Sequence, residues 1–177
     1  MLQRSPTMKQ FILHWGEMGT RWGINRTVAQ VHALLYLSPR PLTAEEIATT
    51  LSVARSNVST TLRELQSWGI VKVVHVLGDR RDHFESLKDV WQMFQHVVEE
   101  RKRREIDPTL ALLRESLAEL GKGGQADPYT RDRLREMLGF FEAITSCYGE
   151  LRGFSPSALR SLSKVGGKIR KILGATA

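Results

Sequence analysis

One cysteine, Cys147, stands in the 177 residues, so no disulfide can form within the chain, and a reducing, cytoplasmic setting is the expectation. The expected role of that thiol is a small buried hydrophobe. No apolar run approaches the length that crosses a membrane, and the opening MLQRSPTMKQ lacks the apolar stretch of a secretory signal. The histidines, His14, His32, His75, His83 and His96, are scattered without metal-ligand spacing. Of these, His75 and His83 are candidates to face each other across a hairpin, in a structural role. There is no phosphate loop, no dinucleotide glycine pattern, no nucleophile elbow and no HExxH pair. The chain therefore reads as a soluble non-enzyme without cofactor or metal.

Acid is also scarce, but only locally. The net charge is +7 with a pI near 9.9, which favours an anionic partner without naming it. From Leu151 onward there are six cations and no Asp or Glu. Between Ser38 and Leu87 six cations (Arg40, Arg55, Arg63, Lys72, Arg80, Arg81) meet six acids (Glu45, Glu46, Glu64, Asp79, Asp82, Glu85). The most patterned part of the sequence is thus neutral in total, and the excess sits in the tail.

Ser5-Pro6 is a helix start, a capping hydroxyl before proline. Met8, Phe11, Ile12, Trp15, Met18 and Trp22 then recur at helical spacing, a stripe suited either to the chain's own core or to a subunit interface. Gly19 and Gly23 are read as breaking it. A second helix, capped by Asn25 or Thr27, carries Val28, Val31, Leu34, Leu35 and Leu37 and stops at Ser38-Pro39-Arg40-Pro41. Thr43 opens a short third helix, with Glu46 three residues on where a capping box places its carboxylate.

After the turn Ser52-Val53-Ala54 comes a helix from Arg55 to about Ser67. Val58, Leu62 and Leu65 share its apolar side; Ser56, Thr60, Arg63 and Ser67 point the other way, flanked by Asn57, Ser59 and Glu64. A merely solvated face would mix Glu and Lys. Here five hydroxyl residues cost helix propensity, and short hydrogen-bonding side chains suit close approach to base edges and phosphates. Trp68-Gly69 ends the helix. Ile70–Leu77 is a strand, Gly78–Asp82 a turn bearing Arg80 and Arg81, and His83–Glu85 a short return strand. Two arginines at a hairpin tip suit a phosphate or a narrow minor groove. Candidate DNA contacts are Thr43, Arg55, Ser56, Asn57, Ser59, Thr60, Arg63, Arg80 and Arg81. With the charges cancelling, they serve only if the arginines face DNA while Glu45 and Glu46 face away.

The run from Gly16 to about Glu105 resembles the GbsR-like branch of the MarR superfamily of bacterial winged-helix repressors. The matching pieces are VAQVHALLYLSPRPLTAEEIATTL, SNVSTTLRELQSWGIVKVV and GDRRDHFES, followed by DVWQMFQHVVEERKRREIDP. The resemblance implies a homodimer that reads an inverted repeat in double-stranded DNA, tuned by a small effector. Some members take choline-type ligands, but Trp15, Trp22 and Trp91 are read here as core at helical spacing. Two departures are local: Ser52 stands where such turns often have Gly, and Ala54 where the recognition helix often has a Ser or Asp cap.

Beyond the hairpin, Val90, Trp91, Phe94, Val97 and Val98 begin another helix, and the charge block Glu99–Glu105 is read as a solvated face with mixed pairs. Asp107-Pro108 marks a restart or kink, followed by Leu110, Leu113, Leu117 and Leu120. A loop at Gly121–Gln125 precedes a long helix with Leu134, Met137, Leu138, Phe141, Ile144 and Tyr148 inward. A last amphipathic helix carries Leu159, Leu162, Val165, Ile169 and Ile172. The expected architecture is mainly α with a small β-hairpin wing, a winged helix-turn-helix flanked by long N- and C-terminal dimerisation helices. Its parts are an N-terminal helix (1–24), the DNA-binding domain (25–87) and a helical dimerisation region (88–177). The competing expectation is a winged-helix module that binds protein rather than DNA.

Overall fold

A computed structural model describes residues 5–122, 127–155 and 157–158. The element order is α1 (Pro6–Arg21), α2 (Arg26–Leu37), β1 (Leu42–Thr43), α3 (Ala44–Leu51), α4 (Arg55–Ser67), β2 (Val71–Val76), β3 (Asp79–Ser86), α5 (Val90–Arg101), α6 (Asp107–Lys122) and α7 (Pro128–Arg152). The fold is mainly helical with a small antiparallel sheet. The chain divides into two units, Met1–Val97 and Val98–Ala177. Among the described residues no helix is long and apolar enough to cross a membrane. The expected final helix lies outside the described residues.

The helix starts follow from their caps. Ser5 Oγ accepts from the Met8 N–H at 3.1 Å and Asn25 Oδ1 from the Thr27 N–H at 2.8 Å. Thr43 and Glu46 form a full capping box: each side chain accepts from the other's backbone N–H, at 3.2 and 2.8 Å. Gly69, at φ +72°, ends α4, and a Cβ there would lie 2.9 Å from His96 Nδ1, so both backbone conformation and packing require glycine.

Helix α2 is the centre of the first unit. Val31, Leu34 and Leu35 are fully buried with Leu42, Ile47, Val58, Leu62, Leu65 and Ile70, each contributing about 2 kcal/mol of burial. Helix α1 lies on this core through Ile12, with Met8, Phe11 and Trp15 partly buried and the Phe11 and Trp15 rings stacked at 5.4 Å. Gly19 does not break α1. It lies inside the helix, where a Cβ would come within 2.5 Å of Ala29 Cβ, so the small residue lets α2 approach. Trp22 and Leu37, read as core, are instead exposed, since both lie at helix ends beyond the packed stripe.

The sheet has three strands in the order β1-β3-β2, one more than a hairpin, because Leu42 and Thr43 pair with Phe84 and His83. The wing turn is shorter than expected. Only Leu77 and Gly78 lie between the strands, with Val76 opposite Asp79, so Arg80 and Arg81 belong to β3. A register shift between Val74 and Val76 places Val74, not His75, across from His83. His75 is exposed while His83 is buried.

Lys88 closes the unit. Its ammonium donates to the carbonyls of Leu35, Tyr36 and Ser38 at 2.8, 2.9 and 2.9 Å, satisfying the orphan acceptors at the end of α2. Burial, and secondarily Lys88, push the His32 imidazole down from 6.5 to about 4, and His32 Nε2 is buried with no hydrogen-bond partner among the described residues.

In the second unit α6 packs on α7, with Arg114 bridging to Glu142 at 2.8 Å. The Asp107 N–H donates to the Lys102 carbonyl five residues back, a π-helical turn over Lys102–Ile106. Pro108 explains it: its ring would crowd the carbonyl four residues earlier, and the widened turn makes room. The charge block is internally paired, Arg101 with Glu105, Lys102 with Asp107, and Arg103 with the nearly buried Glu100. Met137 and Ile144, expected inward, are exposed, and so is Cys147, because one neighbouring helix cannot cover so broad an α7 face.

Candidate nucleic-acid interface

Helix α4 presents the face its sequence pattern requires. Val58, Thr61, Leu62 and Leu65 are buried; Arg55, Ser56, Asn57, Ser59, Thr60, Arg63 and Ser67 are exposed. The hydroxyls are partly occupied, Ser59 donating to the Arg55 carbonyl at 3.0 Å and Ser67 to that of Glu64 at 2.7 Å. Arg63 Nη2 donates weakly to Thr60 Oγ1 at 3.4 Å. The side chains of Arg55, Ser56 and Asn57 bond to nothing among the described residues. At the N-cap, Ala54 offers no side-chain acceptor, so the first-turn N–H groups stay open. Ahead of it Ser52 sits at φ +56°, a left-handed conformation that glycine adopts without cost.

The neutral total of this region resolves into paired and open charge. Arg40 is held by Glu46, Lys72 by Glu85 across the β2–β3 register at 2.9 Å, and Arg81 by Asp79. Arg55, Arg63 and Arg80 pair with no acid among the described residues. The open cations thus lie on the exposed face of α4 and on the wing.

Arg81 differs from Arg80. Asp79 accepts from the Arg81 backbone N–H at 3.0 Å, from its Nε at 3.0 Å and from Nη2 at 2.6 Å, which fixes the guanidinium fork. The Arg81 hydrogen bonds hold the Asp79 carboxyl well below the usual carboxylate range. Behind the pair, His83 Nδ1–H donates to the Arg81 carbonyl at 2.9 Å. Arg81 also feels Glu45 and Glu46, so those acids do not face fully away from the wing. Glu46 spends its carboxylate on Arg40 and the cap, which lowers its pKa to about 2.

Thr43 stands apart from the other candidates. It is 2% exposed, and its hydroxyl serves the capping box, so it starts α3 rather than facing outward. Sequence reasoning missed two supports of the site: Asp79 as the group that orients Arg81, and Lys88, whose three acceptors lie about fifty residues away along the chain. No group of His, Cys, Asp or Glu among the described residues is placed to hold a metal.

A model of the MarR family matches residues 22–82, a span containing all nine candidate contacts. The winged-helix stretch of this chain is thus similar to the MarR family. The chain's similarity to named relatives is distant but extended. It is 28% identical over 147 residues to the HTH-type transcriptional regulator MmpR5 of Mycobacterium tuberculosis, covering 80% of this chain and 84% of that one. It is 24% identical over 125 residues to the HTH-type transcriptional repressor GbsR of Bacillus subtilis, covering 71% and 69%. A crystal structure described as a transcriptional regulator superposes with a TM-score of 0.67 at 25% identity, over 84% of this chain and 97% of that one. The span matched to the MarR family takes in α2 to α4 and most of the wing; α5, α6 and α7 lie beyond it.

Proposed function

We propose that this protein is a homodimeric, sequence-specific DNA-binding transcriptional regulator, a repressor whose affinity is set by a small effector. The observation that carries the reading is the outer face of α4: two open arginines and five short polar side chains, exposed together and backed by a buried apolar side. The α4 helices of the two subunits enter successive major grooves, with half-sites about 10 base pairs apart. Arg63 reads a guanine edge or clamps a phosphate; Ser56, Asn57, Ser59 and Thr60 meet base edges and backbone; Arg55 and the open first-turn N–H groups meet phosphate. Arg80 and Arg81 hold the backbone or the minor groove, Arg81 with its fork aligned by Asp79. The named relatives, both regulators, support the reading.

The test is selection of the purified protein on a random duplex pool across salt concentrations. An enriched inverted repeat is expected. Arg63→Ala should then relax sequence choice as well as affinity, whereas Arg81→Ala should weaken all sequences alike and lower the salt slope by about one. Salt-sensitive retention without enrichment, or no retention, would favour the protein-binding module that the zero net charge of Ser38–Leu87 also suits.

A further inference from the structure

Burial falls away along the wing. Val71 is buried, Val73 and Val74 are half-buried, and the run from His75 to Gly78 is exposed. The end of that run is apolar. Among the described residues Leu77 is the most exposed large hydrophobic, and Val76 beside it is exposed as well. The turn does not ask for a leucine. Gly78 takes the left-handed position at φ +84°, and Leu77 stands at the position before it, which proline and polar residues fill more readily. One exposed leucine on a flat surface is ordinary. This one ends a projecting hairpin with a cation on either side. Arg80 and Arg81 follow each other in β3, so their side chains leave opposite faces of the ribbon. Arg80 pairs with no acid among the described residues, and Asp79, the acid that adjoins the turn, is engaged by Arg81.

We propose that Leu77 is an apolar wedge that enters the minor groove beside each half-site and kinks the duplex at one base step. This role of Leu77 rests on the regulator reading above. An apolar tip between two cations matches a cleft whose walls are sugar and base surface and whose rims are phosphate, which is a minor groove. With α4 in the major groove, the adjoining minor groove lies about half a helical turn away, roughly 5 base pairs outward. Arg80 and Arg81 take the phosphates on either rim, and Leu77 parts the stacked bases between them. Unstacking is easiest at TA and CA/TG steps. The wedge therefore adds sequence preference at a position where no side chain hydrogen-bonds a base.

The test uses the full chain on the inverted repeat enriched from the random pool, with 2-aminopurine at the flanking step and the bend read by end-to-end energy transfer. The wild type should brighten the 2-aminopurine, bend the duplex by about 20° or more, and prefer a TA over a GG step at the flank about fivefold. Leu77→Ser should leave the reporter dark, remove most of the bend and the step preference, and weaken binding about tenfold. Its salt slope should match the wild type, because an apolar contact releases no counterions. Leu77→Met, apolar and of similar volume, should restore the reporter signal, the bend and the preference. Arg80→Ala should do the reverse, lowering the salt slope by about one while the reporter still brightens at saturation. Leu77 and Arg80 are exposed, so each variant should unfold at the wild-type urea midpoint. A reporter that stays dark in the wild type, or a bend and preference that survive Leu77→Ser, overturns the wedge and leaves the DNA reader standing. A Leu77→Ser loss that comes with a smaller salt slope marks a displaced wing and overturns it too. A pool that fails to enrich sinks the regulator reading and the wedge together.

Discussion

The two units bury apolar surface to very different extents. In the first, Val31, Leu34, Leu42, Ile47 and Val58 are fully inaccessible, and a cluster of fourteen buried hydrophobics joins α1 to the sheet. In the second, among the described residues, the buried hydrophobics are Leu110 and Leu113, while Leu112, Tyr129, Met137, Phe140 and Ile144 stand exposed. The first unit can hold its shape from its own core. The second, among its described residues, has built half of a core and left the other half facing outward, the condition that the proposed homodimer requires.

The change with the largest expected effect attacks the exposed half. Phe140→Asp combined with Met137→Asp should abolish a dimer built on this face, read as halved mass by light scattering. Affinity for a two-half-site DNA should fall on the order of 100-fold, as one chain loses the linked second contact. Near-ultraviolet circular dichroism of the first unit's tryptophans should hardly change. Unchanged mass would show that this face is not the subunit interface and would remove the contrast between the units as a guide to assembly.

Next comes a pH effect in the closed unit. His32 is buried with its pKa lowered to about 4, so the folded protein holds it neutral while the unfolded chain takes up a proton below 6.5. The depressed value means stability is full above pH 6.5 and is lost as pH falls toward 4, by up to about 3 kcal/mol. His32→Leu should flatten that part of the stability curve, followed by urea unfolding at pH 7, 5.5 and 4. Since Nε2 has no hydrogen-bond partner among the described residues, the substitution should cost little at pH 7. An unaltered slope would place the acid sensitivity elsewhere, with Glu46, which acts lower, between about 4.5 and 2, as the first alternative.

Lys88→Met should cost less, about 2 kcal/mol, by uncovering the carbonyls of Leu35, Tyr36 and Ser38 at the end of α2. Hydrogen exchange should rise there and at the β3–α5 junction, with α6 and α7 unaffected. A rise spread evenly through both units would contradict their separate stabilities.

Much of the reading half was legible in the sequence because its determinants are local. The Ser5, Asn25 and Thr43 caps, the Gly69 stop and the apolar side of α4 each depend on residues within one or two turns of one another. What was not legible depends on partners far away in the chain. Strand β1 exists because Leu42 meets Phe84, Thr43 is buried by that pairing, and Lys88 finds its acceptors on α2. The wing register, one residue from setting His75 against His83, was decided by an irregularity between Val74 and Val76 that alternation cannot signal. In the second unit periodicity identified the apolar faces of α6 and α7. Periodicity marks which side of a helix is apolar, not whether a neighbour is there to cover it, so Met137 and Ile144, expected inward, lie outside.

The smallest expected effect tests whether the first unit is uniformly firm. Its core is closed, yet the joint leading into α4 carries a left-handed Ser52 and an uncapped Ala54. Ala54→Ser should add an acceptor for a first-turn N–H and raise stability by about 1 kcal/mol. Ser52→Gly should add a similar or smaller amount by relieving the left-handed strain. In both variants amide exchange should slow at the start of α4 and stay unchanged in α2. If the loose joint serves adjustment of α4 on DNA, the stabilised variants should bind the selected site at least as tightly but respond less to any ligand that resets the helix. Stabilisation without protection at α4 would mean that the turn is already as firm as the core behind it.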